Sequence, residues 1–145
     1  MTIFQSIRDL ARQEERLRWA VERQKARCTR ITTTISNAPR GGGGDQRMEE
    51  DVIRLTMVKD QYDAVATELR EERAALEPCI AQLKDGTQRT AMTMRYMKNM
   101  RIIEIGDAVG YSERQVFRVL ERAENKILQQ LKGKEERKKD GSTCQ

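Results

Sequence analysis

The chain contains no histidine. That absence removes the commonest general base, the Ser-His and Cys-His nucleophile pairs, and the usual zinc-finger ligand sets. Aromatic residues make up only 4% of the 145 residues and charged residues 35%, so any globular core is small and an enzyme is not expected. Cysteine occurs three times, at Cys28, Cys79 and Cys144, with no CxxC spacing and no secretory signal ahead. These read as reduced cytosolic thiols, neither a disulfide frame nor a metal site. No apolar run approaches the roughly 18 residues of a membrane span, which predicts a soluble, cytoplasmic protein with no membrane partner. No cofactor is expected.

Charge is what the chain has in quantity, and its placement matters more than the net value of +5. Residues 1–86 hold 15 Lys+Arg and 15 Asp+Glu, whereas residues 87–139 hold 13 Lys+Arg and 7 Asp+Glu. A basic excess confined to the later part points to a polyanionic partner there. The rival explanation is a solvated basic face.

The fold class expected is all-α. From the N-terminus Ile3, Ile7, Leu10, Glu14, Leu17, Val21, Gln24, Cys28, Ile31 and Ile35 recur at alternating steps of four and three, a heptad seam. "SNAPRGGGGDQ" breaks it, because proline and four glycines hold helical backbone only at a cost. A second seam runs Met48, Val52, Leu55, Lys59, Tyr62, Ala66, Leu69, Arg73, Leu76, with Ile80 and Leu83 beyond Pro78, which interrupts or restarts the helix. Two seams of similar length joined by a short loop predict a long antiparallel helical hairpin over residues 1–84, its Gly-rich loop at 37–46. Pairing positions whose numbers sum to about 83 sets Gln24 opposite Lys59 and Glu14 one layer from Arg73. These four polar residues read as register devices rather than a carboxylate-lysine site. The tetraglycine lacks the Lys-Ser/Thr of a phosphate loop and runs into "DQRMEE", so it reads as a turn, with Arg40 as a candidate contact. Trp19, Val58 and Val65 lie off the seams and mark a candidate interaction surface, for another protomer in a homodimer or for the C-terminal domain.

Residues 85–132 carry a different pattern. Thr87 is placed to cap a short helix with Met92, Met94, Tyr96 and Met97. A second short amphipathic helix follows with Ile102, Ile103, Ile105, Ala108 and Val109, and Gly110 ends it. Ser112 opens a third helix, with Gln115 completing a capping box and Val116, Val119, Ala123 and Ile127 as the buried stripe. Outward remain Glu113, Arg114, Gln115, Phe117, Arg118, Arg122 and Lys126. A scaffolding helix, a tight turn and a capped helix with an outward Arg/Gln face are the parts of a helix-turn-helix that binds double-stranded DNA. Its third helix can enter the major groove, where Arg reaches guanine and Gln reaches adenine, and Phe117 fits a thymine methyl. An ordinary three-helix bundle with a solvated basic helix is the bland alternative. The tail from 133 to 145, rich in charge, is expected to be disordered.

The stretch "MTMRYMKNMRIIEIGDAVGYSERQVFRVLERAENKIL" resembles region 4 of sigma-70-type factors, with "EIG" in place of an "EIA"-like second helix and "GYSERQV" opening the reader helix. The whole chain is similar to small bacteriophage late-transcription regulators of the ArpU/RinA type. The resemblance implies base contacts from Arg114, Gln115 and Arg118 and phosphate contacts from Ser112, Arg101 and Arg122; Glu113 and Phe117 are further candidate base contacts, and Lys98 and Lys126 further candidate phosphate contacts. It implies a phage-type transcription regulator in a bacterial cytoplasm, or else an interaction protein that docks on RNA polymerase with little sequence-specific DNA binding. Two departures stand out. No region 2 is recognisable, which argues against a complete sigma factor. Gly106 replaces the usual alanine, at an expected cost of about 0.5 to 1 kcal/mol of helix stability.

Overall fold

A computed structural model describes residues 1–37 and 44–143, with side chains placed for residues 1–29 and 46–138. Among the described residues the chain is all-α: α1 Ile3–Asn37, α2 Gly44–Ala81, α3 Gly86–Met92, α4 Ile102–Val109 and α5 Glu113–Thr143, with a π-turn at Thr93–Met97 directly after α3. Arg40, Cys144 and most of the expected loop lie outside the described residues. No described helix is long and apolar enough to cross a membrane. Cys79 is a buried free thiol, and the described residues hold no metal-ligand cluster. The chain divides into two compact units, Arg8–Arg70 and a second made of Met1–Ile7 with Glu71–Gln145.

Within Arg8–Arg70 the two arms run antiparallel. Gln24 Nε2 donates to the Asp51 carbonyl oxygen at 3.1 Å and to its carboxylate at 3.4 Å. The Tyr62 hydroxyl donates to Glu14 at 3.1 Å, and Arg18 pairs with the same carboxylate. The register thus differs from the one expected: Gln24 meets Asp51, eight residues short of Lys59, and Glu14 is held by Tyr62. A shift of about one heptad leaves an apolar seam apolar, so periodicity alone does not choose between registers. The seam of α2 also differs. Asp51 and Leu69 are buried and Val58 and Val65 half-buried, while Val52 and Lys59 are exposed. Positions 51, 55, 58, 62, 65 and 69 satisfy the same four-three alternation. This alternative places Val58 inward and leaves the Lys59 ammonium in water, while the charge it does bury, the Asp51 carboxylate, is met by Gln24 Nε2. Val58 and Val65 therefore belong to the hairpin's own core and not to an outer surface.

The second unit does not begin at residue 85. Phe4 and Ile7 from α1, Leu76, Cys79 and Ile80 from α2, and Leu83 just beyond it are buried in it together with Met92, Tyr96, Ile105, Val116, Leu120, Ala123 and Ile127. The helices of residues 85–132 are too short to enclose a core alone, so the ends of both long helices complete it. Pro78 does not break α2, which continues to Ala81. Pro78 and Ala74 are both exposed, so water can meet the carbonyl that proline leaves without a donor. Arg89 donates to the Leu83 carbonyl at 2.6 Å and fastens the end of α2 to α3. Asp85, not Thr87, caps α3, accepting from the Thr87 and Gln88 amides at 2.9 and 3.4 Å. Leu120 is 5% exposed and Val119 only half-buried, so the buried stripe of α5 turns slightly from the expected one.

Tyr96 sits at the centre of this unit, 1% exposed. Its ring lies 5.1 Å from that of Phe4, its hydroxyl donates to Glu124 on α5, and its carbonyl accepts from Arg73 Nε at 2.8 Å. The carbonyl requires a side-chain donor because the π-turn shifts the local pattern: Lys98 N bonds back to Thr93 and Met100 N to Met94. Asn99, at φ 54°, completes the reversal in the left-handed region that Asn tolerates better than most residues. Beyond residue 132, α5 stays helical to Thr143 where a disordered tail was expected. Gly133 costs about 1 kcal/mol relative to alanine, but the Lys/Glu/Arg run after it favours helix, and an existing helix propagates without a new nucleus.

Tyr96→Phe keeps the ring contact and removes only the hydroxyl. It should lower unfolding stability by about 1.5 to 3 kcal/mol, the range for a hydrogen bond to a charged group. A urea melt of the full chain measures this, and an unchanged midpoint would show that the Glu124 contact contributes nothing.

Candidate nucleic-acid interface

The local sequence explains how α4 and α5 come to sit so close. Glu104 accepts from the Arg101 amide at 3.1 Å, satisfying a donor at the start of α4, and from the Arg101 guanidinium at 3.0 and 3.1 Å. The backbone bond and then the guanidinium hold the Glu104 carboxyl below its ordinary range. At the other end Gly110 takes φ 76°, and the amides of Gly110 and Tyr111 both donate to the Gly106 carbonyl, at 2.8 and 2.9 Å. This turn is so tight that a Cβ on Gly106 would lie 2.6 Å from the Tyr111 carbonyl oxygen. Gly106 is therefore a requirement of this turn and not merely a weak helix residue, which reverses the expectation drawn from its helix propensity. α5 then opens with the expected capping box: Ser112 N donates to Gln115 Oε1 at 2.9 Å, and Gln115 N to Ser112 Oγ at 3.3 Å.

The first turns of α5 present the expected face. Val116 and Leu120 are buried against the domain, while Glu113, Arg114, Gln115, Phe117, Arg118 and Arg122 are exposed. None of these three arginines has an ion-pair partner among the described residues. Other assigned residues have duties inside the protein. Gln115 Oε1 is occupied by the cap, leaving only its Nε2 donors for a ligand, so a two-point contact to adenine requires the cap to open. Ser112 is engaged in the same cap. Arg101 is exposed but shares its charge with Glu104. Lys126 donates to Gln88 on α3 at 3.2 Å and braces α5 against the domain. Lys98 is exposed in the segment between the π-turn and α4.

Beside Phe117, which the sequence places outward, two further apolar residues lie exposed near this face, Ile103 and Tyr111. Phe117 is 57% exposed, Ile103 on α4 is 52% exposed, and Tyr111 in the turn is 39% exposed. Ile103 had been counted among the apolar residues of its helix; with Ile105 fully buried, only one of the two can face inward. Farther along α5, Lys126, Lys134 and Arg137 line an open cleft with Lys84. Lys134 lies about 30 Å along the helix axis from Arg114 at the standard rise, so this cleft is separate from the face at the start of α5.

Residues 31–128 match a sequence family described as protein of unknown function (DUF1492). No curated protein and no solved structure matches the chain.

Two measurements probe the geometry. Gly106→Ala should destabilise the chain by about 1 to 3 kcal/mol through crowding, although helix propensity taken alone favours alanine by about 1 kcal/mol; a higher melting point in the variant would refute the close turn. Glu104 titrates below its ordinary value of 4.5, so its contribution is fully present above that pH and is lost as pH falls through the lowered value. Glu104→Gln should therefore show a shallower loss of melting temperature than the parent below pH 4.5. Parallel curves would remove the carboxylate from any role in holding α4.

Proposed function

The chain belongs to the DUF1492 family, and on the geometry of α4 and α5 we propose that it is a transcription regulator of phage type that binds double-stranded DNA through the start of α5. One observation carries this reading. Arg114, Arg118 and Arg122 stand exposed, without ion-pair partners among the described residues, on the helix that follows a tight glycine turn. A protein gains nothing by leaving three guanidiniums unpaired on a rigid helix unless water or an external anion takes them, and the major groove offers acceptors at the matching depth. The resemblance of residues 92–128 to sigma region 4 points the same way. Arg114 and Arg118 are the base readers, Phe117 supports them through a thymine methyl, and Arg122 meets phosphate. The hairpin of Arg8–Arg70 is the partner-binding arm, and the place of action is the bacterial cytoplasm.

A second reading draws on Phe117, Ile103 and Tyr111. Exposed apolar side chains on so small a domain also suit docking on a protein surface, and RNA polymerase is the partner that the sigma-like pattern suggests. Enrichment sequencing from random DNA separates the two. A recovered motif supports the regulator, while salt-labile binding with no motif favours polymerase docking.

For the DNA reading, Arg114→Ala or Arg118→Ala should cost about 1 to 3 kcal/mol on the selected site and relax preference at one base pair. Arg122→Ala should weaken selected and scrambled sites alike and lower the salt slope by about one unit. A salt series on both sites distinguishes them. Equal losses on both sites for Arg114 and Arg118 would reduce these residues to phosphate contacts.

A further inference from the structure

The outer faces of the two hairpin arms are opposite in charge and identical in spacing. In Arg8–Arg70 the seam buries Leu10 and Val21 of α1 and Asp51 and Leu69 of α2. By the helical period, the residues half a turn away on each arm point outward on opposite sides of the hairpin. On α1 these are Arg12, Arg16, Trp19, Arg23 and Arg27, all exposed, with Trp19 at 64%. On α2, read backwards, they are Ala64, Asp60, Met57, Ile53 and Glu49, also exposed, with Met57 at 58% and Ile53 at 59%. Both series step by four, three, four and four residues. None of their charged groups has an ion-pair partner among the described residues.

We propose that the outer face of α1 docks antiparallel on the outer face of α2 of a second copy of this chain. With Trp19 set on Met57, the common spacing brings Arg16 to Asp60 and Arg27 to Glu49, lays the Arg23 stem over Ile53, and leaves Arg12 beside the small Ala64. The indole gains a sulfur contact and covers apolar surface, and the arginines bury their stems while their heads meet carboxylates. Arms of one chain already pair antiparallel, with Glu14 level with Tyr62 and Gln24 level with Asp51, and the docked arms repeat that alignment. Because the two faces point to opposite sides, the contact is head-to-tail and generates a ring or an open row rather than an isolated symmetric dimer. The inference rests on the hairpin acting as the partner-binding arm in the reading above, and it is independent of the DNA-reading residues.

The test is sedimentation velocity on the full chain over a concentration series, with circular dichroism of each variant to exclude unfolding. The wild type should show species above the monomer that grow with concentration. Arg16→Glu and Asp60→Arg should each weaken association by about tenfold or more, as should Trp19→Ala. The double variant Arg16→Glu with Asp60→Arg should recover association, because the swapped charges meet only between copies. A wild type that stays monomeric at about 100 µM, or a double variant no better than the singles, overturns the proposal and leaves the arginine face to a polyanion. Arg114→Ala should associate like the wild type. A monomer that still selects a DNA site sinks the docking alone, and an associating chain that selects no site sinks the DNA reading alone.

Discussion

The C-terminal unit depends on the environment of one side chain, Tyr96. It lies within the π-turn that follows α3, and its polar and aromatic contacts reach Phe4 on α1, Arg73 on α2 and Glu124 on α5. A π-turn leaves a carbonyl out of the regular ladder, and a buried carbonyl without a donor is costly. Arg73 supplies that donor from another helix. The local irregularity of the backbone thus becomes a point at which α1, α2 and α5 are tied to the turn that ends α3.

From that fixed point the helix pair is positioned by short-range bonds. Glu104 holds the start of α4, Gly106 and Gly110 make the turn, and Ser112 with Gln115 opens α5. Each group used in this way is less free to meet a ligand. The same geometry therefore sorts the polar residues of the face: Gln115, Ser112, Arg101 and Lys126 serve the domain, while Arg114, Arg118 and Arg122 have no ion-pair partner among the described residues. Sequence position alone treats these residues as equivalent, because whether a side chain is already engaged depends on which neighbours fold brings within bonding distance.

Helix type and most boundaries were legible in the residues. The heptad steps of α1, the Ser112–Gln115 box and the Gly110 stop are local signals whose physics acts within a few residues, and each was found where the pattern placed it. The exposed face at the start of α5 was legible for the same reason, since Val116 and Ile127 fix which way the helix turns. The N-cap of α3 and the continuation through Pro78 were misread because Asp85 and Thr87 are equally good caps, and because a proline on a wet face costs less than one in a core.

The sequence by itself determined an all-helical chain, two long arms that pair, and a basic helix after a glycine turn, because periodicity, capping and turn chemistry are written within a few residues of where they act. The tertiary structure decided the choice among arrangements equal in local pattern. Two seams on α2 share one alternation; the one observed leaves Lys59 in water and buries Asp51 against Gln24. The extent of the C-terminal unit was also decided there, since its core needs Phe4 and Leu76, which lie far away in sequence. Gly106 shows the same division: its helix propensity is a property of one residue, but the carbonyl of Tyr111 that forbids a larger side chain there comes near only when the turn closes.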